Sequence, residues 1–330
     1  MNYDALLVVS FGGPEGMDDV MPFLENVVRG RNIPRERLLG VAHHYEMFGG
    51  VSPINQQNRN LIAALKEELR KNGPELPIYW GNRNWHPLLR DTLREMAANG
   101  VKNALAFVTS AYSSFSSCRQ YRQNIADAQA AVGPDGLAPN VEKLRAFYNH
   151  PLFIEANVDR IRTASAQLNG TAQHVAFTAH SIPESMAANC EYAAQLHETA
   201  GLIADTLGVE NWRVVYQSRS GSPSQPWLGP DICDHLKQLR GDGVTNVVVA
   251  PIGFVSDHME VVYDLDVEAQ QVAKDLGMNL VRAATAGTHP SFVKMIRELI
   301  LERVDNAPAR FLGSRGVAHS ICPADCCLAG

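Results

Sequence analysis

Short apolar, β-branched runs alternate with longer amphipathic stretches from one end of this chain to the other, and that alternation restricts the fold more than any other feature. The runs Ala5–Phe11, Pro77–Trp80, Ala104–Ser110, Val141–Tyr148, His174–Ala179, Arg213–Ser218, Asn246–Ile252 and Asn279–Ala284 read as strands. Between them Leu61, Leu65 and Leu69 recur every fourth residue, as do Phe292, Ile296, Ile300 and Val304, which marks helices. Alternation of this kind builds parallel sheets covered by helices on both faces. The best break falls at Asn149–Pro151, after the fourth strand. It predicts an α/β chain of two Rossmann-like domains, residues 1–150 and 151–310, each a four-stranded parallel sheet flanked by helices, with a cysteine-bearing tail over 311–330.

Composition narrows the class of partner. With 45% hydrophobic and 19% charged residues in 330, both halves have enough apolar material for a sizeable interior. A net charge of −6 and the lack of any long single-sign run argue against a nucleic-acid partner. The opening MNYDALLVVSFGG carries Asp4, lacks a cationic leader and reads as a buried strand. No uncharged stretch approaches the ~18 apolar residues that a membrane span requires. Six cysteines in such a chain point to a reducing cytoplasm, where clustered thiols bind metal more often than they form disulfides.

In open parallel sheets, ligands bind beyond the carboxyl ends of the strands. The residues there are Gly12-Gly13-Pro14, Tyr112, His180-Ser181, Arg219 and the stretch from Gly253 to Glu260. The loop Arg219–Pro230 is rich in Ser, Pro and Gly, and its length within a compact unit marks it as functional. His180 lies in TAHSIP, after an apolar strand and before a helix start at Pro183-Glu184; it is either a capping histidine or a chemical one. The segment APIGFVSDHMEVVYDLD packs Asp257, His258, Glu260, Asp264 and Asp266 among apolar residues. A solvated acidic helix start is one reading. The interleaved Val255, Met259, Val261, Val262 and Tyr263 favour a buried helix instead, whose carboxylates need a partner, a proton or a metal.

TAHSIP and GFVSDHMEVVYDLD resemble the two signature motifs of the ferrochelatases. LLVVSFGGPEG, FGGVSPIN, GNRNW and QSRSGSPSQPWLGPDICDHL resemble the actinobacterial branch of that family, which is associated with coproporphyrin III ferrochelatase activity. The resemblance runs from about Leu6 to Asp266. It implies a chelatase-like fold with a porphyrin cleft between the domains, and insertion of Fe²⁺ into coproporphyrin III for a downstream enzyme of haem synthesis. Metallation removes two pyrrole protons, so the site needs bases beside the macrocycle and ligands that present iron; imidazole and carboxylate suit both tasks. By resemblance His180 and Glu260 bind iron and accept protons, His258 supports them, and Asp264 occupies an acidic position that is often glutamate. Arg29, Ser52 and Tyr121 are implied as porphyrin-binding positions. Phe11, Ile33 and Trp227 are further candidates for the ring, and Arg31, Arg119 and Arg122 for its propionates. Phe11 stands where some relatives carry an iron-ligating tyrosine, a ligand this chain cannot use.

The tail reads Cys322-Pro-Ala-Asp-Cys326-Cys327. Vicinal cysteines seldom pair with each other, because the ring that would join them is strained. Three clustered thiols and one distant thiol would complete a Cys₄ site for [2Fe–2S] or Zn²⁺. Cluster-bearing ferrochelatases are similar in combining three C-terminal cysteines with one internal cysteine, which implies Cys118, ahead of Cys190 and Cys233, as partner to Cys322, Cys326 and Cys327. The other histidines (His43, His44, His174, His197, His235, His289) read as structural or exposed. Two alternatives stand beside the leading one: a chelatase for protoporphyrin IX or another metal, and a non-catalytic tetrapyrrole or iron carrier regulated by its cluster. A nucleotide-binding oxidoreductase is set aside, because neither G-x-G-x-x-G nor G-x-x-x-x-G-K-[ST] occurs.

Overall fold

The computed structural model describes residues 3–31, 33–133, 138–168, 171–221 and 224–329. Positions 222 and 223 of the Arg219–Pro230 loop lie outside the described residues. All eight expected strands form: β1 (Ala5–Ser10), β2 (Ile78–Asn82), β3 (Asn103–Val108), β4 (Asn140–Lys143), β5 (His174–His180), β6 (Trp212–Gln217), β7 (Asn246–Ala250) and β8 (Asn279–Arg282). They make two parallel four-stranded sheets, ordered β2-β1-β3-β4 and β6-β5-β7-β8. The fourth strand ends at Lys143, earlier than the apolar run through Tyr148 suggested. Residues Leu144 and Ala146–Tyr148 are buried in the core as irregular chain instead.

Both faces of each sheet are covered, which is why the strands read as unbroken apolar runs. Alternate residues serve different layers. Leu6, Val8, Leu105 and Phe107 of the first sheet share a core with Val175, Phe177, Val214 and Val248 of the second. Leu7, Val9, Ala104 and Ala106 face a separate cluster, and Ala176, Val215, Val247 and Val249 face a third. The shared core is filled by Phe147, Phe153 and Phe292, whose rings meet at 5.5–6.1 Å. The helix Pro290–Val304 packs on both Ile54–Asn72 and Pro151–Ser165, and so ties the end of the chain to the first half. Arg145, nearly fully buried, holds Glu302 of that helix through bonds of 2.7 and 2.8 Å.

Two glycines bring the strand ends together. Gly12 turns the chain after β1 with φ +81°, a conformation that side chains disfavour. Gly253 lies so close to β5 that an added Cβ would fall 2.6 Å from the Cα of Ala179. That approach lays the segment after β7 against the end of β5, where His180 stands.

Candidate active site

His180 is the last residue of β5, with its side chain 30% exposed. It ends a strand and caps no helix, so the capping reading falls away. Its backbone carbonyl accepts a 3.0 Å bond from the buried Tyr192 hydroxyl, while Ser181 donates to Leu228 at 2.7 Å. Nδ1 lies 3.6 Å from Oε2 of Glu260 and is buried with no hydrogen-bond partner among the described residues. An unpaired buried ring nitrogen beside a carboxylate has lone-pair or N–H capacity that the protein leaves unspent.

Glu260 belongs to the one-turn helix Met259–Tyr263, and His258 caps that helix by accepting the Glu260 N–H at Nδ1, 3.2 Å away. The hydrogen of neutral His258 is therefore on Nε2. Burial lowers its pKa, with Glu260 pulling the other way, and the ring stays neutral. The loop before it is fastened on both sides. Asp257 N–H donates to Gln57 of the first half at 2.8 Å, and Arg282 bonds both Asp257 and Asp266.

From Asp264 to Ala269 the helix widens into a π-turn, in which Asp264 is half-buried while Asp266 and Glu268 stay exposed. Burial pushes the Asp264 carboxyl up to about 7, with Glu260 and Glu268 adding repulsion. Hydrogen bonds from Ser218 and Gln217 oppose that rise. Ser218 holds its hydroxyl there at φ +61°, a left-handed conformation costing about 1 kcal/mol or more in a non-glycine residue. Asp264 is therefore near half-protonation at neutral pH and close enough to Glu260 to feel its charge.

The opposite wall comes from the first half. Tyr45 on the helix Arg35–Glu46 is buried, and burial together with nearby Glu260 keeps its phenol protonated. His44 stacks on Tyr263 at 3.6 Å, and Met259 packs into the cluster of Phe23, Leu24 and Tyr45, so the two walls touch. Arg83, just beyond β2, lies with its guanidinium 4.6 Å from the Tyr121 ring centroid and 5.6 Å from that of Phe11. Of the expected porphyrin positions, Arg29 is exposed and hydrogen-bonded to Asn26. Ser52 is buried against Gly13, and Tyr121 is 5% exposed beneath Arg83. Ile33 and Phe11 flank the Phe23 cluster, and Trp227 bridges to Pro183. Arg119 and Arg122 do not face this cleft. They donate to the carbonyls of Cys322, Pro323, Ala324 and Cys326, because the turn carrying them runs under the tail.

Arg83, Tyr45, Gln217 and Ser218 are functional candidates that the sequence reading passed over. Arg83 stood within the quoted GNRNW and Ser218 within QSRSGSP, yet nothing in a sequence marks which polar side chain will be withdrawn from water.

The tail thiols gather on another side of the molecule, in a cavity of about 650 Å³ lined by Cys118, Cys190, Cys322, Cys326, Cys327 and Lys143. Cys118 and Cys322 hydrogen-bond, which lowers the Cys322 pKa to about 7. The sulfurs of Cys326 and Cys327 are 3.4 Å apart. Cys118 and Cys190 both reach the tail thiols, Cys118 through Cys322 and Cys190 close enough to Cys326 to feel its charge, while Cys233 lies on the helix Ile232–Gly241 and packs beside β6. The thiols are disposed as two pairs. No group of three or more histidine, cysteine or acidic side chains is arranged to hold a metal among the described residues.

The sequence profile of the ferrochelatases matches residues 3–304. A protein of Rhodopirellula baltica named ferrochelatase is 55% identical, covering 99% of this chain and 93% of the relative. Coproporphyrin III ferrochelatases of Streptomyces coelicolor and Nocardia farcinica are 51% and 49% identical, each covering 99% of this chain, and 94% and 97% of the relatives. Among solved structures, the sirohydrochlorin chelatase SirB from Bacillus subtilis in complex with cobalt has a TM-score of 0.56 at 11% identity, covering 93% of this chain and 97% of that one. SirB with Fe³⁺ has a TM-score of 0.57. At that identity the likeness speaks for the two-sheet fold alone.

Proposed function

The chain belongs to the ferrochelatase family, and on that premise we propose that it inserts Fe²⁺ into coproporphyrin III with release of the two pyrrole protons. The observation that carries the reading is the unpaired buried Nδ1 of His180, 3.6 Å from the Glu260 carboxylate, beyond the ends of the neighbouring strands β5 and β7. His180 and Glu260 act as the pair that presents iron and takes pyrrole protons, since each offers a basic, iron-compatible atom. His258 holds the start of the Glu260 turn in place. Asp264 receives a proton from the pair and passes it toward Glu268, a role supported by a carboxyl poised near 7. Arg29, Ser52 and Tyr121 belong to the porphyrin side of the cleft. The test is an anaerobic absorbance assay with Fe²⁺ and either coproporphyrin III or protoporphyrin IX. Multiple turnovers on coproporphyrin III are expected; stoichiometric binding without turnover would convert the reading to a carrier.

The tail cavity gathers soft thiols, one of them near thiolate at neutral pH, and we propose that Cys118, Cys322, Cys326 and Cys327 would hold a [2Fe–2S] cluster once the two pairs close on it, since their present arrangement forms no metal-holding group. Bound there, it would supply a redox-sensitive cross-link between the tail and the turn after β3. No helix of the described residues is long and apolar enough to cross a membrane. Free cysteines throughout accord with a cytoplasmic setting, from which the metallated product would pass to a downstream enzyme.

A further inference from the structure

Arg83 is a withdrawn cation without an anion. Its Nε donates to the Asn124 amide oxygen at 2.7 Å and its Nη1 to the Ser116 carbonyl at 3.4 Å, both neutral acceptors. Phe11 and Tyr121 cover its faces. The arginines most like it in burial are treated otherwise. Arg145 holds Glu302, Arg282 holds Asp257 and Asp266, and Arg303 holds Glu142. Among the described residues no carboxylate acts on Arg83; it hydrogen-bonds the neutral Tyr121 hydroxyl, and its charged neighbour is a second cation, Arg31. Burial lowers its pKa, the hydrogen bond with Tyr121 opposes that, and the proximity of Arg31 lowers it again by a smaller amount. Two like charges, one drawn into a partly dry pocket, are costly unless an anion joins them.

Resting on the reading of a carboxylate-bearing porphyrin as substrate, we propose that Arg83, with Arg31 beside it, is the subsite that anchors one propionate of the porphyrin at the carboxyl ends of β1, β2 and β3. The planar fork of a guanidinium matches a carboxylate, and the hold of Asn124 and Ser116 fixes the fork before the substrate arrives. The aromatic faces of Phe11 and Tyr121 keep it from turning toward bulk water. The propionate would thus be gripped on the first half while the pyrrole nitrogens are presented to His180 and Glu260 on the second.

The test is fluorescence titration of metal-free coproporphyrin III and its tetramethyl ester against the whole protein, its Arg83→Leu variant and its Arg83→Lys variant. Arg83→Leu is expected to raise Kd for the acid about 10- to 100-fold, the range for losing a charged hydrogen-bond partner, with Arg83→Lys recovering part of it. Binding of the ester should be alike in all three proteins. Equal losses for acid and ester would assign Arg83 a packing role and overturn the proposal, as would an unchanged Kd. Should Arg83→Leu fail to fold, Arg31→Gln on the exposed neighbour is read instead. A rise of about 2- to 5-fold for the acid alone is expected there, and equal or absent effects on acid and ester reject the subsite. If the wild-type protein does not bind coproporphyrin III, the substrate reading fails by itself. The subsite is then judged by the same comparison on protoporphyrin IX and its dimethyl ester.

Discussion

The two halves of this molecule are built alike and equipped differently. Each runs its strands in the same order, second-first-third-fourth, and residues beyond the strand ends of the two halves meet where His44 stacks on Tyr263. In the first half those ends carry Phe11, Arg83 and, from the helix that follows β3, Tyr121, with Tyr45 on a covering helix: aromatic faces and a cation. In the second they carry His180, Ser218 and the Glu260–Asp264 turn: bases and carboxyls. On the proposed function, one scaffold used twice separates grip from chemistry. The cation that would suit a propionate is kept on the opposite wall from the carboxylates that suit iron, where it cannot neutralise them at short range.

That division can be broken most directly at His180. His180→Ala should lower kcat/KM for metallation by about 10³-fold, within the span of a lost general base, while Kd for coproporphyrin III changes by less than about 3-fold. A large loss of porphyrin affinity would show that the second half also grips. The halves should not be separable in folding, since their inner faces share one core. Phe147→Ala, at its centre, should cost about 3–5 kcal/mol in a single denaturation transition; two transitions would mean that each sheet folds alone.

Asp264→Asn probes the proton path through pH. A carboxyl raised from about 3.9 unfolded to about 7 folded adds stability below pH 4, and that stability is lost as pH rises through about 7. The variant should therefore be more stable than the wild type by about 1–3 kcal/mol at pH 8 and lose that advantage at pH 5. Wild-type kcat/KM is expected to rise with pH near 7 as Asp264 loses its proton, and that rise should flatten in the variant. A stability difference that ignores pH would remove Asp264 from the path. The smallest effect is expected at the far end of the chain. On the proposed cluster, Cys326→Ser should remove visible absorption from anaerobically purified protein and leave porphyrin affinity within about 2-fold, since the thiol cavity does not include His180 or Glu260. A spectrum unchanged by the substitution would strike Cys326 from the ligand set.

Two histidines on one strand show where sequence reading succeeds and stops. His174 and His180 both lie on β5. At the amino end His174 is buried with Nε2 3.0 Å from Nε2 of His235, and burial lowers both pKa values to about 4. At the carboxyl end His180 faces the cleft with Nδ1 unpaired. The strand direction and the carboxyl-end rule suffice to tell them apart, because both are properties of the local chain. The identity of each partner is not local: His235 lies 61 residues away from its mate, and nothing in periodicity links them.

By itself the sequence determined that the chain forms two four-stranded parallel sheets covered by helices, and that TAHSIP and the acidic segment after β7 sit at strand ends. Burial on both sheet faces writes itself into consecutive residues, and so does the turn that follows a strand. Only the tertiary structure decided that Arg83 lacks an anion, that Arg119 and Arg122 clamp the tail, that Cys118 meets Cys322, and that Tyr45 and Glu260 share a cleft. Each of those facts joins side chains from elements far apart in the chain. Their energies depend on distance and on exclusion of water, quantities that exist only once the helices have closed over the sheets.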